Sequence, residues 1–144
     1  MITYFDTSTL LKLLIEEAGS DRAALLWDTA EVAVSAAIVF VEARAALAAA
    51  TRGGRLTPSQ HERAKTDLHT VVDCLAIVEI SVDLIRRAAD LAELEALRGY
   101  DAVHLAAALT VQASVLTSAD TDLCAAAQHQ GIHVANPLDS PGLP

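Results

Sequence analysis

Four acidic side chains occupy positions where a carboxylate faces either a ligand or the end of a helix. Asp6 ends a short apolar run, and Glu42 interrupts a stretch that is otherwise an apolar helix face. Asp101 and Asp120 each open a predicted helix. Carboxylate oxygens are the ligands that hard cations such as Mg²⁺ and Mn²⁺ prefer. The four acids therefore predict a metal-dependent site, provided that the fold brings them together.

Each acid also has a purely structural explanation. Asp101 and Asp120 can stabilise the N-terminus of a helix through its macrodipole, which contributes ~0.3–1 kcal/mol. Asp122 competes with Asp120 for either role. Glu42 has no cation three or four residues away, and a buried, unpaired carboxylate costs several kcal/mol. A distant arginine would satisfy it without any metal, so the residue pattern alone leaves both explanations open.

Other chemistries have less support in the sequence. His104 lies three residues after Asp101 and can hydrogen-bond to it, but no second His or Cys lies at ligand spacing, which favours a structural histidine. No Gly-rich phosphate loop follows a predicted strand, and no Ser or Cys sits in a nucleophile elbow. Cys74 and Cys124 are far apart in apolar contexts. We expect them to be reduced, structural thiols.

The elements that must position the acids alternate between short strands and helices. The apolar and β-branched runs predict strands at 2–5, 32–34, 75–80, 114–117 and 132–134. The 3.6-residue periodicity predicts helices at about 10–15, 20–29, 36–50, 58–72, 83–97, 101–112 and 120–130. This alternation indicates an α/β fold with a mainly parallel sheet and helices on both faces. Acids that follow such strands share the carboxyl edge of the sheet, where ligands bind.

Several helix starts are also predicted from side chains that can cap them. Thr7 or Ser8 is expected to cap the first helix, and Ser35 the third. Thr57 with Gln60 has the spacing of a capping box.

Length and composition favour one compact domain. The chain has 144 residues, of which 53% are hydrophobic and 20% charged. We expect a single domain over 1–144, with 136–144 as a C-terminal tail. The N-terminus lacks a basic signal region, and the longest apolar runs are broken well short of the ~20 residues that a bilayer needs. These features predict a cytoplasmic protein with no membrane segment.

The net charge of −9 argues against a nonspecific polyanion binder that relies on a basic surface. It does not argue against a nuclease, because bound cations would neutralise the ligating acids. Half of the ten basic residues are clustered in one stretch: Arg44, Arg52, Arg55, Arg63 and Lys65. This stretch is either a solvated helical surface or a phosphate-contacting patch.

Four segments carry a family resemblance. The opening Tyr-Phe-Asp-Thr-Ser at 4–8 resembles the first motif of PIN-domain ribonucleases, in particular the VapC toxins of bacterial type II toxin–antitoxin systems. The segment 34–44 resembles their second motif, and 97–106 is similar to their third. The segment 116–126, followed by Gly131 and an Asn-Pro pair, resembles the fourth. The four motifs occur in the expected order and cover essentially the whole chain.

The resemblance implies a fold, a site and an activity. It implies a three-layer α/β/α sandwich around a mainly parallel sheet of four to five short strands. The catalytic acids would be Asp6, Glu42, Asp101 and Asp120. Asp6 and Asp101 would bind metal most directly, with Glu42 and either Asp120 or Asp122 completing the site. Ser8 and Thr117 would be hydroxyl partners of these acids.

The same resemblance implies an endoribonuclease that uses Mg²⁺, or Mn²⁺, to activate water and bind the scissile phosphate of RNA. Arg44, Arg52 and Arg55 would contact flanking phosphates. The protein would act as a toxin, form a homodimer and be held inactive by a VapB-like antitoxin that places a basic or apolar segment across the acids.

Two other classes are weighed against this one. A haloacid-dehalogenase-like phosphatase also begins with an acid after its first strand, but it needs a second Asp where this chain has Ser8, and the C-terminal half has no lysine. A catalytically silent PIN-like binding or regulatory domain is the second alternative. It gives no reason for a glutamate within the apolar stretch around Glu42.

Overall fold

A computed structural model describes residues 1–140 of the chain. Its strands are β1 (Ile2–Phe5), β2 (Val32–Ala36), β3 (Ala76–Val78), β4 (Val115–Thr117) and β5 (His133–Ala135). Its helices are α1 (Thr7–Leu14), α2 (Ser20–Thr29), α3 (Val39–Arg52), α4 (Pro58–Asp73), α5 (Val82–Glu95), α6 (Gly99–Thr110) and α7 (Thr121–His129). The end of the predicted tail, 141–144, lies outside the described residues.

The five strands form one parallel sheet in the order β3-β2-β1-β4-β5. The first strand of the chain is therefore the central one. Tyr4 pairs with Val34 on one side and with Leu116 on the other. Because all strands run in the same direction, the residues that follow β1, β2 and β4 meet at one edge of the sheet.

Consecutive residues of β1 face opposite layers, as the pleat requires. Tyr4 packs into the larger core, which α5, α6 and α7 cover, whereas Phe5 packs with Leu10 and Val39 on the other side. A separate cluster lies beyond the Phe5 side of the sheet, where Leu47 of α3 packs against Leu68 of α4. The helices thus cover both faces of the sheet, and the predicted three-layer α/β/α sandwich with a parallel sheet is confirmed.

Two predicted helix caps are wrong. The first helix begins one residue after Asp6, which is itself the N-cap, so Thr7 and Ser8 lie within the helix. Ser35 belongs to β2, where its hydroxyl donates to the carbonyl oxygen of Phe5 at 2.7 Å. The hydroxyl groups that the local sequence suggests as helix caps therefore serve in strand contacts and in the site instead. The capping box of Thr57 and Gln60 is confirmed.

The segment that follows β5 packs against the turn that precedes α2. Gly19 precedes this helix with a φ of +89°, a conformation that side chains disfavour. A Cβ atom there would lie 2.8 Å from the carbonyl oxygen of Pro137. Glycine thus permits both the turn and the close approach of residue 137. Within residues 1–140, no helix combines the length and apolar character needed to cross a bilayer.

Candidate active site

The structure brings the four predicted acids to the carboxyl edge of the sheet. Asp6 directly follows β1, and Asp120 lies three residues beyond the neighbouring β4. Glu42 is in the first turn of α3, and Asp101 is in the first turn of α6. Asp6 and Asp101 are each only 5% exposed. Because these carboxylates are largely removed from water, nearby hydrogen-bond donors or cations must compensate for their lost hydration.

Two serine hydroxyls hold the Asp6 carboxylate. Ser118 donates to Oδ2 at 2.7 Å, and Ser8 donates to the same oxygen at 2.8 Å. The backbone N–H of Ala119 donates to Ser8 at 2.9 Å, and that of Asp120 donates to Ser118 at 3.0 Å. The loop after β4 is thereby tied to the start of α1. This arrangement fixes one oxygen of Asp6, while Oδ1 lies 3.5 Å from Nε2 of His104.

Arg98 bridges two of the acids. Its Nε donates to Oδ2 of Asp101 and one terminal nitrogen donates to Oδ2 of Asp120, each at 3.0 Å. Its guanidinium also lies 4.9 Å from the ring centroid of Tyr100. The side chain of Arg98 is 64% exposed, whereas that of Asp101 is 7% exposed. A solvent-facing cation therefore covers one side of the acid cluster.

Asp120 caps a helix and also faces the site. Its Oδ1 accepts the backbone N–H groups of Asp122 and Leu123, at 2.9 and 3.1 Å, and so caps α7. Its Oδ2 faces Arg98 and the site. Asp122 is exposed in the first turn of α7. The geometry therefore favours Asp120 over Asp122 as the fourth acid.

Glu42 is paired with a histidine that is 62 residues away in the chain. His104 Nε2 lies 2.6 Å from Oε1 of Glu42, and because a carboxylate only accepts, the ring nitrogen is the donor. Thr7 donates to the same oxygen at 2.8 Å. On the other side of the ring, Nδ1 shares a 2.7 Å hydrogen bond with the Tyr4 hydroxyl. Glu42 thus has a distant hydrogen-bond partner, which is a histidine where the structural explanation expected an arginine.

The position of His104 differs from the expectation that it contacts Asp101. The ring is fully buried and lies 3.5 Å from Oδ1 of Asp6 instead. Burial alone lowers the pKa of His104, but the hydrogen bond to Glu42 and the charge of Asp6 outweigh it and raise the pKa above the ordinary value. The histidine is therefore a buried structural residue that links Glu42 to the core and lies close to Asp6.

Repulsion among the acids is visible at Asp101. Burial is the largest factor that raises the pKa of its carboxyl, and the charges of Asp120 and Asp6 raise it further. The ion pair with Arg98 lowers this pKa without cancelling the rise. Negative charges that repel one another in this way would be stabilised by a bound cation.

The donor set fits a hard divalent cation. The acids offer only oxygen ligands, which suits Mg²⁺ or Mn²⁺, and a guanidinium already stands between two of them. As the side chains stand, no group of three or more His, Cys, Asp or Glu within 1–140 is arranged to hold a metal ion. Asp6 and Asp101 are the most buried candidates, with Glu42 and Asp120 at the rim.

Other predicted site residues lie elsewhere. The Thr117 hydroxyl contacts that of Thr9 at 3.1 Å rather than a carboxylate. Arg55 pairs with Glu17 at 2.8 Å, and the Arg44 guanidinium lies 5.8 Å from the centroid of the Phe40 ring. Arg52 is exposed at the end of α3. Within residues 1–140, none of these three arginines donates to an acid of the site.

The two thiols differ from each other. Cys124 is buried, and its thiol donates to the carbonyl oxygen of Ser118 at 3.3 Å. Burial, with the nearby charges of Asp6 and Asp120, raises the pKa of Cys124 to about 11. Cys74 is exposed, contrary to the expectation from its apolar context. Both cysteines are free.

Sequence reasoning missed Arg98, Ser118, Tyr4 and Thr7 as members of the site. Arg98 carried a local signal, since it lies three residues before Asp101 and one turn of helix joins such positions. Ser118 follows β4 directly, as Asp6 follows β1. Tyr4 and Thr7 gave no signal, because their partner His104 is about 100 residues away.

Sequence comparison identifies the family. The sequence model of a protein family described as "PIN domain" matches residues 3–128 of this chain. The chain is 41% identical over 134 residues to ribonuclease VapC45 of Mycobacterium tuberculosis, a match that covers 93% of this chain and 91% of that protein. This family membership excludes the haloacid-dehalogenase alternative.

Solved structures share the fold. A toxin–antitoxin complex from Klebsiella pneumoniae matches with a TM-score of 0.67 and 21% identity, over 94% of this chain and 97% of that one. M. tuberculosis VapC20, described as a sarcin-ricin loop cleaving toxin, matches with a TM-score of 0.68 and 19% identity, over 86% of this chain and 94% of that one. From its sequence match and its architecture, this chain belongs to the PIN-domain family, among the VapC-type proteins.

Proposed function

We propose that this protein is a Mg²⁺-dependent endoribonuclease, with Mn²⁺ as an alternative ion, and the toxin of a VapBC pair. The observation that carries the proposal is the convergence of Asp6, Glu42, Asp101 and Asp120 at the carboxyl edge of one parallel sheet. Two of these acids are almost completely buried. A relative that is 41% identical is named a ribonuclease, which supports RNA as the substrate.

Each acid has a proposed role. Asp6 and Asp101 hold the ion most directly, and Asp120 completes the site from the start of α7. The chemistry that such an ion supplies when bound is Lewis acidity toward a phosphate and toward water. Ser8 and Ser118 keep Asp6 in one orientation, since both donate to its Oδ2.

Glu42 is suited to orient the attacking water. Its Oε1 is occupied by His104 and Thr7, whereas Oε2 accepts no hydrogen bond within residues 1–140. A free carboxylate oxygen at the rim can accept a proton from water, while the His104 ring holds the other oxygen in place. Tyr4 holds that ring from the other side. The chain Tyr4–His104–Glu42 thus keeps one acid aligned.

The exposed arginines of α3 and the following loop are proposed to contact RNA phosphates. Arg44, Arg52 and Arg55 are all on the surface and do not neutralise the acids of the site. Arginine side chains of this kind bind phosphates outside a catalytic centre without specifying sequence.

The proposal includes a VapB-like antitoxin, which would block the acid edge with a basic or apolar segment, and a homodimer in the cytoplasm. A solved neighbour with this fold is described as a toxin–antitoxin complex, which supports the antitoxin as a partner. The acid edge is a suitable target for a basic segment, because the net charge of the chain is −9.

The test is cleavage of a mixed RNA pool by purified, antitoxin-free protein in Mg²⁺ and in EDTA, with the Asp6→Asn variant alongside. Asp73→Asn is the matched control, because Asp73 is exposed at the end of α4, away from the site. We expect cutting by the native protein and D73N in Mg²⁺ only, and none by D6N.

Two results would count against the proposal. Equal cutting by native protein and D6N would place the catalytic site elsewhere. A lack of cutting under every ion condition, combined with specific RNA or protein binding, would favour the catalytically silent domain.

A further inference from the structure

Arg98 occupies the oxygens that a bound cation would use. Its guanidinium donates to Oδ2 of Asp101 and to Oδ2 of Asp120, both at 3.0 Å. Asp120 has no second oxygen to offer, because its Oδ1 already accepts two backbone N–H groups of α7. One exposed side chain therefore pairs with one of the most buried acids and with one rim acid at the same time.

The position of Arg98 allows it to leave these acids. The residue is the N-cap of α6, with extended backbone angles, and its side chain is 64% exposed. The neighbouring Tyr100 ring, 44% exposed, offers an alternative surface for the guanidinium, which already lies 4.9 Å from its centroid. Asp101 and Asp120, by contrast, are fixed by α6 and by the cap of α7.

We propose that Arg98 is an internal counter-ion that competes with the divalent cation for Asp101 and Asp120 and so sets the cation affinity of the site. This inference rests on the proposed metal-dependent function. A cation bound to the same two carboxylates would repel the guanidinium, so the two positive groups compete for Asp101 and Asp120. Arg98 is thus a positioning residue that keeps the acids together when no cation is present.

The experiment compares Mg²⁺ binding by isothermal titration calorimetry in native protein, Arg98→Gln, Arg98→Lys and the control Arg87→Gln. Arg87 is exposed on α5 and donates to Thr110, at the opposite end of α6 from Asp101, so it matches Arg98 in residue type and lies away from the acids. Removing a competing positive charge should tighten Mg²⁺ binding of R98Q by about tenfold. R98K, which keeps the charge but cannot donate in two directions, should lie between R98Q and the native protein. R87Q should bind like the native protein.

Thermal unfolding gives a second readout. Without metal, R98Q should unfold at a lower temperature than native protein, because Asp101 and Asp120 then repel each other without compensation. Saturating Mg²⁺ should remove most of this difference. R87Q should show no such Mg²⁺-dependent recovery. A merely structural arginine would lower the unfolding temperature equally with and without the ion.

The outcomes separate this inference from the proposed function. If native protein binds Mg²⁺ and R98Q binds it no more tightly, the inference is overturned and the metal-dependent function stands. If neither native protein nor R98Q binds Mg²⁺ or Mn²⁺, both are overturned. Tighter binding by R98Q together with Mg²⁺-dependent recovery of its stability supports the inference.

Discussion

The His104 ring donates to Glu42 across a 2.6 Å contact and thereby joins α6 to α3 beneath the carboxyl edge of the sheet. The ring is completely buried, and its other nitrogen shares a hydrogen bond with the hydroxyl of Tyr4 in the central strand. A single side chain thus connects the core of the sheet with an acid of the site.

Replacing His104 should therefore weaken the fold itself. His104→Ala removes a buried ring and leaves the Tyr4 hydroxyl and Glu42 without their partner, so we expect a loss of about 2–4 kcal/mol in the free energy of unfolding. Urea denaturation measures this loss. His133→Ala is the control, because His133 is exposed in β5, at the edge of the sheet; its change should stay within about 0.5 kcal/mol. Equal stability of H104A and native protein would contradict the role of the ring.

Ser118 should matter more for activity than for stability. Ser118→Ala removes the 2.7 Å donor to Asp6 and the acceptor for the Asp120 N–H, which loosens the two acids relative to each other. We expect RNA cleavage to fall by about tenfold and the free energy of unfolding to fall by about 1–2 kcal/mol. Ser114→Ala, at an exposed position before β4, should leave both quantities unchanged. Native cleavage rates in S118A would show that Asp6 is oriented without it.

Much of the site followed from local patterns. The acids after strands or at helix starts were identified because each violates or ends an apolar pattern, as Glu42 does within α3. Parallel topology then places such residues at one edge, whatever the order of the strands. The position of β1 at the centre of the sheet was not predictable from periodicity, since it depends on which strands pair.

The contacts that complete the site were beyond local reasoning. Ser118 reaches Asp6 across 112 residues, and Tyr4 reaches His104 across 100. A hydroxyl near a helix start resembles a cap in sequence, and the expectation for Ser35 failed because the adjacent strand competes for the same group. Such choices are decided by tertiary packing and not by the neighbouring residues.

The ion pairs of Glu17, which lie outside the site, should make the free energy of unfolding depend on pH. Burial raises the pKa of Glu17, but the hydrogen bonds and charges of Lys12 and Arg55 outweigh it, so the net pKa is lowered. A lowered folded-state pKa stabilises the protein above the unfolded value of about 4.3 and ceases to do so as the pH falls through the folded value.

Glu17→Gln tests this dependence. At pH 7 the variant leaves the 8% exposed ammonium of Lys12 without its carboxylate, so we expect a loss of about 1–2 kcal/mol. The difference from native protein should shrink as the pH falls through the lowered folded-state pKa, because Glu17 then becomes protonated. Urea denaturation across pH 3–7 measures the difference in the free energy of unfolding between the variant and the native protein at each pH. A constant difference at all pH values would contradict the assignment.

The two thiols should differ in reactivity. With a pKa of about 11, the Cys124 thiol is ionised in about 1 molecule in 10⁴ at pH 7, and it is buried as well. Cys74 is exposed. Iodoacetamide at pH 7 followed by peptide mass spectrometry should show modification of Cys74 alone in native protein and of both thiols in urea. Rapid labelling of Cys124 in native protein would contradict the packing around Ser118.

The most direct test of the central claim is the rate of Mg²⁺-dependent cleavage of one defined RNA by a matched set of acid-to-amide variants. We expect D6N, E42Q, D101N and D120N each to lose more than about a hundredfold in rate. D122N and D73N, whose side chains are exposed, should cleave at the native rate. Circular dichroism of each variant should first establish that it is folded. Native rates in folded D6N and D101N would contradict a carboxylate site at this edge of the sheet, and a loss in D122N instead of D120N would contradict the choice of the fourth acid.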